Sequence, residues 1–445
     1  MNYGSTGLLH SSPRETKQVD AESPRSVTPE VPHGPARTPV RASHLLSIGP
    51  AIFIAILCLI GGYLWARDIQ ERRLHTAAPE FCDSKLHGVA LIREALSRPD
   101  TLVFFGSSEL IPDVPMKGVD FFANSPTGFT MFPIGKAGTT ALSVLQKLGG
   151  AAEELKGKKL VLSLSPSFFQ REQIDPKYLE GNSSKLQIKE FLWSDRFSTQ
   201  LKHDVAEEIL KYPKVSDGDW TLEFTLQRIA GGTPADRLLL ALIQPYAAFD
   251  RMVARIQDHL EAGFALNGLG DEADSHTRYR PKRGNVLHWD DLFRAAEQHS
   301  ESLAAKSKKR PIKVLRAEGS WDKQFAMKVN SAQEWRDLEL VLRLLREAGA
   351  KPLIISMPLH ADVLAAQGVS KVGREAYGEQ LHEITKHYDV PLVYLKDHES
   401  DPVFFVDQND HIGSKGWWYY DKVLDDFYHD RLSKNSTTQD PTRPY

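Results

Sequence analysis

The sequence predicts an α/β protein in which helices cover both faces of a parallel sheet, preceded by one N-terminal transmembrane helix. Short apolar runs of strand length alternate with stretches of helical periodicity, which is typical of a parallel sheet. A stretch without any charge, from Leu45 to Ala66, would span roughly 30 Å of hydrocarbon as a helix. The 445 residues are 41% hydrophobic and 25% charged, which suits one large or two ordinary globular domains.

The uncharged stretch of residues 45–66 is interpreted as a membrane anchor. Tyr63 and Trp65 lie near its end, where amphipathic rings favour the membrane interface. A buried core helix and a cleaved signal peptide are the alternatives, but the stretch is longer than a usual signal-peptide core. Basic residues lie on both sides of it, so the positive-inside rule leaves the orientation open.

The remaining pattern divides the chain into a large domain and two polar tails. Residues 1–44 and 433–445 lack apolar periodicity and are expected to be disordered, which leaves 67–432 as the globular domain. Within it, residues 186–310 are mostly helix-patterned and are expected to form an insertion between the third and fourth strands. The predicted strands are 102–105, 129–134, 159–164, 352–356 and 391–395, and the predicted helices include 84–97, 139–148, 335–347, 374–387 and one beginning at Trp417.

Charge and cysteine content exclude several function classes. The formal charge of −3 offers no basic surplus for nucleic acid. Cys58 lies in the apolar stretch, so a disulfide with Cys82 is not expected. The Cys and His spacing matches no zinc site, and no metal or cofactor is predicted.

The first candidate site segment follows a predicted strand. Residues 101–110 read TLVFFGSSEL, an apolar run broken at Gly106. Ser107 and Ser108 would then stand at the carboxyl edge of a parallel sheet, where open α/β folds place their ligands. One serine could serve as a nucleophile, and its neighbouring backbone N–H groups could hold an oxyanion. The alternative is that a serine only caps a short helix.

The second segment lies near the C-terminus and supplies an imidazole beside two carboxylates. His411 is a candidate general base, with Asp407 at the end of an apolar run and Asp410 adjacent in the chain. A carboxylate that accepts from the Nδ1–H of a histidine fixes the tautomer and leaves Nε2 free for a serine proton. Adjacent residues usually point apart, so Asp407 is the preferred partner and Asp410 the reserve. Solvated loop residues are the alternative for all three.

Four stretches resemble the DltD family, in order along the chain. They are residues 105–110 (FGSSEL), 134–142 (IGKAGTTAL), 165–169 (SPSFF), and the segment from 335 (WRDL) through 411–417 (HIGSKGW). DltD proteins are membrane-anchored and complete the D-alanylation of lipoteichoic acid. The resemblance covers most of residues 60–430.

The resemblance implies a three-layer fold related to SGNH hydrolases. It implies Ser108 as nucleophile and His411 as base. The oxyanion hole would combine the Ser108 backbone N–H with Gly138 and Ser165. It further implies a partner that is a membrane-bound O-acyltransferase (MBOAT), a cell-envelope polymer as acceptor, and a domain outside the cytoplasmic membrane, in the periplasmic or extracytoplasmic space.

Three positions depart from the family pattern. The residue three before His411, where the family has its aspartate, is Gln408, so Asp407 fits only with one extra loop residue. The 165–169 stretch lacks the amide and tryptophan expected there, which weakens the expected part of Ser165 in the oxyanion hole. The polar tail before the anchor is also longer than usual.

Three functions agree with these features. The first is a serine acyltransferase that moves an acyl group, by resemblance D-alanyl, onto polymer hydroxyls. The second is an esterase or thioesterase with the same triad. The third is a non-catalytic scaffold for the membrane-bound O-acyltransferase.

Overall fold

The structure is a computed structural model that describes residues 43–82, 88–269, 287–306, 311–408 and 410–432. Most of the N-terminal tail, all of the C-terminal tail and the predicted helix start at Ser84 lie outside these residues. The chain divides into two compact units, one ending at Ala55 and one beginning at Ile56. The sheet and the candidate site belong to the second unit.

The sheet has five strands, all parallel, in the order β2-β1-β3-β4-β5. The strands are β1 (Thr101–Phe105), β2 (Thr130–Ile134), β3 (Lys159–Leu164), β4 (Lys351–Ser356) and β5 (Leu392–Tyr394). The predicted α/β class with a parallel sheet is therefore confirmed. Each strand lies within about one residue of its predicted bounds because all five are nearly continuous apolar runs, as expected of strands buried on both faces.

Helices connect the strands and precede and follow the sheet. In chain order they are α1 (Ser43–Ala77), α2 (Val89–Ser97), α3 (Gly118–Asn124), α4 (Ala141–Gly150), α5 (Pro176–Asn182), α6 (Lys185–Trp193), α7 (Thr199–Leu210), α8 (Trp220–Gly231), α9 (Pro234–Gly268), α10 (Trp289–Lys306), α11 (Asp322–Asn330), α12 (Gln333–Ala348), α13 (Ala361–Ala366), α14 (Lys371–Tyr388) and α15 (Ser414–Tyr428). The helical stretch between β3 and β4 thus begins at Pro176 and continues through α12.

Two helix layers enclose the sheet. The rings of Trp417 and Tyr420 from α15 each lie 6.1 Å from the ring of Phe104 on β1. The neighbouring Phe105, which points to the opposite face, lines a small cavity together with Ala141 of α4 and Leu338 of α12. This arrangement is the three-layer architecture that the resemblance implied.

Local sequence signals explain where several helices begin and end. Thr140 caps α4 by accepting a hydrogen bond from the N–H of Ser143. Thr233 and Asp236 form a reciprocal capping box at the start of α9. α12 ends at Gly349, whose φ of +68° is the left-handed conformation typical of a glycine helix stop.

The first helix is longer than the predicted anchor. α1 runs eleven residues past Ala66, to Ala77. In the described part of the chain, it is the one helix long and apolar enough to cross a membrane, with a mean hydropathy of 2.1 and its apolar window wholly exposed. These properties are consistent with single-pass anchoring.

The C-terminal part of α1 packs against α9. A Cβ on Gly263 would lie 2.7 Å from the Cβ of Ala66, so only glycine permits this approach. Gln70 donates to the carbonyl of His259 at 2.9 Å, and Arg73 donates to the carbonyl of Leu266 at 2.9 Å. These side chain to backbone bonds join α1 to the helical insertion.

Candidate active site

The strand order places a switch point between β1 and β3. From β1 the chain passes to β2 on one side, and from β3 it passes to β4 on the other. Open α/β sheets bind ligands in the crevice outside the carboxyl ends of strands at such a point. Ser108 follows β1 and Ser165 follows β3, so both of these residues lie at this crevice.

The turn after β1 is built on two closely packed glycines. The N–H of Gly106 donates to the carbonyl of Ile134 at 3.0 Å. Gly135 has a φ of +154°, and a Cβ there would lie 1.9 Å from the carbonyl oxygen of Gly106. A side chain at position 135 would therefore force the two loops apart, which makes glycine necessary here.

The two serines of this turn differ in exposure. Ser107 is 3% exposed, and its Oγ has no hydrogen-bond partner in the described part of the chain. Ser108 begins a short 3₁₀ helix, Ser108–Leu110, and is only partly buried. Of the two hydroxyls, that of Ser108 is therefore the one open to a substrate.

His411 and Asp407 are directly hydrogen-bonded. The Nδ1 of His411 lies 2.6 Å from Oδ2 of Asp407, and the backbone N–H of His411 donates to Oδ1 of the same carboxylate at 3.4 Å. This contact is the main cause that raises the pKa of His411 above its ordinary value. The carboxylate thus holds Nδ1, and Nε2 is left for a reacting proton.

Asp410 lies in a different environment from Asp407. Its φ of +64° turns the chain just before His411. Burial, and then the nearby charge of Asp407, raise its pKa to about 6. Among the described residues, Asp407 and not Asp410 is the hydrogen-bond partner of the imidazole.

The loop that carries His411 is not the continuation of a strand. Residues 402–404 form a turn, and Phe405 pairs with Ile412 in a single antiparallel bridge. The N–H of Val406 donates to the carbonyl of His411 at 2.9 Å, which closes the loop on itself. The apolar run that ends at Asp407 is therefore not a strand of the sheet, because the loop pairs with itself instead. α15 also begins earlier than predicted, at Ser414 rather than Trp417.

The packing of α15 on β1 brings the two distant segments together. Trp417 is fully buried against Phe104 of β1, only six residues after His411. After the Asp407 hydrogen bond, the charge of Glu109, the residue after Ser108, also raises the pKa of His411, so the two segments lie within electrostatic reach of each other. In the part of the chain that the structure describes, Ser108 and His411 are not hydrogen-bonded to each other. Catalytic hydrogen bonds are often long in unliganded enzymes and tighten when substrate binds.

The expected oxyanion residues lie on the loops after β2 and β3. Gly138 has a φ of +81°, and its carbonyl accepts from the side-chain amide of Asn182 at 3.1 Å. The Oγ of Ser165 lies 2.9 Å from the Oγ of Ser167. A cavity of about 20 Å³, room for roughly one water, is lined by Ser165, Ser107 and Thr139, the residue after Gly138.

Glu109 is a buried carboxyl that the sequence reasoning did not single out. It is fully buried, and its Oε2 accepts from the backbone N–H of Ser107 at 3.0 Å. Burial raises its pKa, and hydrogen bonds, first that of Ser163, oppose the shift. Ser163 in turn contacts the hydroxyl of Tyr420 at 3.2 Å. Glu109 therefore links the serine turn to β3 and α15.

Glu334 is a second buried acid near the site. Its Oε1 accepts from the backbone N–H of Ala141 at 2.7 Å, at the start of α4, and its side chain lines the small cavity. Burial, with a further contribution from Asp337, raises its pKa well above the ordinary value. Its position was readable from the sequence, because Glu334 shares the helical phase of Leu338, Val341 and Leu345, which are all core residues.

Comparison with known proteins identifies the family. The family described as DltD protein matches residues 78–429 of the chain. The chain belongs to the DltD family. Protein DltD of Bacillus subtilis (strain 168) is 25% identical over 369 residues, which cover 81% of this chain and 90% of the relative. Protein DltD of Staphylococcus aureus (strain NCTC 8325 / PS 47) is 24% identical over 389 residues, 85% of this chain and 93% of the relative.

Membership of the DltD family confirms the resemblance seen in the sequence. It implies involvement in the D-alanylation of teichoic acids. The match begins at residue 78, one residue after the end of α1, and takes in the sheet, the helical insertion and the His411 loop.

Proposed function

We propose that this chain is a membrane-anchored serine acyltransferase with Ser108 as nucleophile, His411 as general base and Asp407 as the carboxylate that orients the base. The observation that supports it most is the 2.6 Å contact between His411 Nδ1 and Asp407, in a loop that α15 fastens against β1. The partial exposure of Ser108 at the β1–β3 switch point adds to it. A DltD protein with this geometry has the parts that acyl transfer requires.

The proposed reaction uses these three groups in turn. Nε2 of His411 takes the proton of Ser108 as the serine oxygen attacks the carbonyl carbon of the acyl donor. The bond to the leaving group breaks, the leaving group receives that proton, and an acyl-serine remains. An acceptor hydroxyl then gives its proton to His411 and attacks the acyl carbon, which restores the Ser108 hydroxyl and yields the new ester.

Backbone groups near Ser108 would stabilise the negative charge of the tetrahedral intermediate. The Ser108 N–H, the N–H of Gly138 and the side chain of Ser165 are the proposed donors. Each preorganised donor of this kind contributes about 3 kcal/mol to barrier reduction. Ser165 is the weakest of the three, since its hydroxyl already contacts Ser167.

The proposed acyl group and partners come from the family. The acyl group is D-alanyl, the acceptor is a hydroxyl of a cell-envelope polymer, and the acyl donor is delivered through a membrane-bound O-acyltransferase. The globular domain lies on the extracytoplasmic, or periplasmic, side of the cytoplasmic membrane, with the apolar part of α1 as the anchor.

Serine-directed labelling tests the nucleophile. The full-length protein in detergent is expected to react covalently with a fluorophosphonate at Ser108, and Ser108→Ala is expected to lose the label. Ser107→Ala is the matched control, since it removes the neighbouring buried hydroxyl and should keep the label. Labelling of Ser108→Ala at the wild-type rate would refute the assignment.

A cellular measurement connects the nucleophile with the polymer. Cells carrying Ser108→Ala are expected to lose D-alanyl esters from the envelope polymer, although the protein is present at normal abundance in the membrane. Unchanged ester content would instead favour the scaffold function.

Transfer and hydrolysis separate in a competition experiment. With an activated acyl ester as donor and glycerol present, a transferase forms acyl-glycerol in excess of free acid. An esterase releases mainly the free acid, because water then outcompetes the polyol.

A further inference from the structure

The helical insertion contains a large cavity away from the sheet. Helices α6, α7, α8 and α9 enclose about 750 Å³, and every lining residue lies between positions 192 and 251. This volume is in the range of small-molecule binding sites. The proposed acyl-transfer chemistry uses none of these residues.

Cationic side chains dominate the polar lining. Lys202, Arg228, Arg237 and Arg251 face the cavity, against the single carboxylate of Asp195. The whole chain has a net charge of −3, so this basic character is local and does not reflect the composition.

Three of these cations form no ion pair within the described part of the chain. Arg228 pairs with Asp236 at 2.9 Å, whereas no carboxylate oxygen lies within 4.0 Å of Lys202, Arg237 or Arg251 among the described residues. The guanidinium of Arg251 lies 5.6 Å from the ring centre of Trp193. Burial, as the largest cause, lowers the pKa values of Lys202 and Arg251. The nearby charge of Asp195 opposes the shift at Lys202, that of Glu190 opposes it at Arg251, and a neighbouring cation lowers each pKa further.

Two other cations of the insertion are paired. The buried Lys189 contacts Asp219 and Asp250, both at 2.6 Å, and the more exposed Arg255 pairs with Glu190. Because partly buried charges are unfavourable without a counter-ion, the half-buried Lys202 and Arg251 indicate a missing anion, whereas Arg237 is exposed.

Apolar residues also line the cavity, beside the polar Thr199, Gln200, His203 and Gln244, and the apolar surface continues outside it. Leu192, Trp193 and Leu240 line the cavity, and the same helix α9 exposes Leu242 and Phe249 to solvent. Trp220 and Tyr246 extend this apolar face, with ring centres 5.2 Å apart. An anion that fits both the cations and the apolar surface carries an apolar body.

We propose that this cavity binds a phosphodiester, with Lys202, Arg237 and Arg251 facing its two non-bridging oxygens and Trp193 and Leu240 contacting its apolar substituent. Guanidinium groups match such oxygens in a bidentate geometry, and the distribution of the charge over two oxygens suits several cations. The phosphodiester has two sources in a membrane-anchored protein. One is the head group of an anionic phospholipid, and the other is a soluble glycerophosphodiester.

Two parallel binding experiments, called here the first and the second arm, distinguish these sources. The full-length protein is placed in nanodiscs of phosphatidylcholine and titrated with glycerophosphoglycerol in a calorimeter. In parallel, its unfolding temperature is compared between phosphatidylcholine nanodiscs and nanodiscs that also contain phosphatidylglycerol. A ligand that binds the folded state alone raises the unfolding temperature. Binding in the first arm alone identifies the soluble diester, and a response in the second arm alone identifies the lipid head group.

The variants test whether the cavity is the binding site. Lys202→Met/Arg251→Met is expected to weaken binding at least about tenfold and to abolish the temperature shift. The matched control is Lys386→Met/Arg346→Met on α14 and α12, which removes the same charges, including an arginine 4.9 Å from the ring centre of Tyr388. The control should bind as the wild type does.

The proposal also predicts the unfolding temperature of the Lys202→Met/Arg251→Met variant without ligand. Removing mutually repelling cations should leave the unfolding temperature unchanged or higher in phosphatidylcholine, and the single variant Lys202→Gln provides a milder version of the test. The absence of any response in both arms overturns the proposal, as does an equal loss in the control variant. Fluorophosphonate labelling of Ser108 should be unchanged in the cavity variant, so failure here is separable from failure of the proposed active site.

Discussion

Two cavities of the globular unit differ in character. The cavity at the β1–β3 switch point is about 20 Å³ in volume, and its polar lining consists of hydroxyls and the buried acid Glu334 among apolar side chains. The cavity in the insertion is about 750 Å³ and is lined by four cations. The first has fixed polar groups and almost no space, whereas the second has space and unbalanced charge.

The first cavity suits the proposed reaction, and the second suits the proposed binding of a ligand. At the sheet edge, Glu109 and Asp407 hold backbone and imidazole groups in place, as a preorganised reaction site requires. In the insertion, Lys202, Arg237 and Arg251 have no ion-pair partner among the described residues, as the proposed anion site requires.

The largest effect is expected from His411→Gln. Loss of the proposed base should reduce acyl transfer by at least about a thousandfold, because Ser108 can no longer transfer its proton. Initial rates with an activated acyl ester measure this, and the phosphodiester response of the insertion should not change. Activity within tenfold of the wild type would show that His411 is not the base.

Asp407→Asn is expected to reduce the rate of acyl transfer about a hundredfold or more, whereas the rate of Asp410→Asn should stay within a few-fold of the wild type. Initial rates with an activated acyl ester measure both.

The pH dependence of the acyl-transfer rate provides a second measurement. Activity is expected to require neutral His411 and therefore to fall as the pH drops through the His411 pKa, which the Asp407 hydrogen bond raises above its ordinary value. Because the Asp407 hydrogen bond raises that pKa, Asp407→Asn should move the acidic limb to lower pH. Larger effects at Asp410 than at Asp407 would exchange their roles.

Asp337→Asn should stabilise the protein more at pH 8 than at pH 5. Burial, as the first cause, raises the pKa of Asp337 to about 7, so the folded state holds a proton that the unfolded state has already lost. The stability of the wild type therefore falls as the pH rises from about 4 to about 7, and asparagine removes this loss. The gain between pH 5 and pH 8 should be on the order of 2 kcal/mol, measured by denaturant unfolding. Equal gains at both pH values would contradict a raised pKa.

The smallest effect is expected from Asp195→Asn. Removing the single acid among the cavity-lining residues should tighten phosphodiester binding about two- to fivefold, since one repulsive charge is lost. Glu383→Gln on the exposed surface of α14 is the matched control. Calorimetric titration measures both, and weaker binding in Asp195→Asn would contradict the proposed orientation of the anion.

The fold was largely predictable because its strands are buried runs with clear ends. The strand at 159–164 was predicted with the same bounds that the structure has, as its neighbours Lys158 and Ser165 are polar. Helix ends were less predictable. The extension of α1 past Ala66 depends on its packing against Gly263, a contact about 200 positions away in the chain that local sequence cannot reveal.

The candidate site was predictable in its chemistry but not in its supporting groups. Ser108, His411 and Asp407 were chosen from their residue types and setting. The role of Glu109 depends on the burial of its side chain beneath the Ser107 turn, which no spacing rule indicates. Glu334 was detectable as an acid at a core position of an amphipathic helix, although its contact with the start of α4 was not.

The C-terminal part of α1 supports the helical insertion through its contact with α9. Ala66 meets Gly263 without space for a side chain, and Gln70 and Arg73 bind main-chain carbonyls of the insertion. A truncated chain starting after residue 77 would strip one wall from α9 and uncover its small residues. The C-terminal part of α1 is consequently an integral support for the insertion, and attempts to make a water-soluble version should retain residues 66–77.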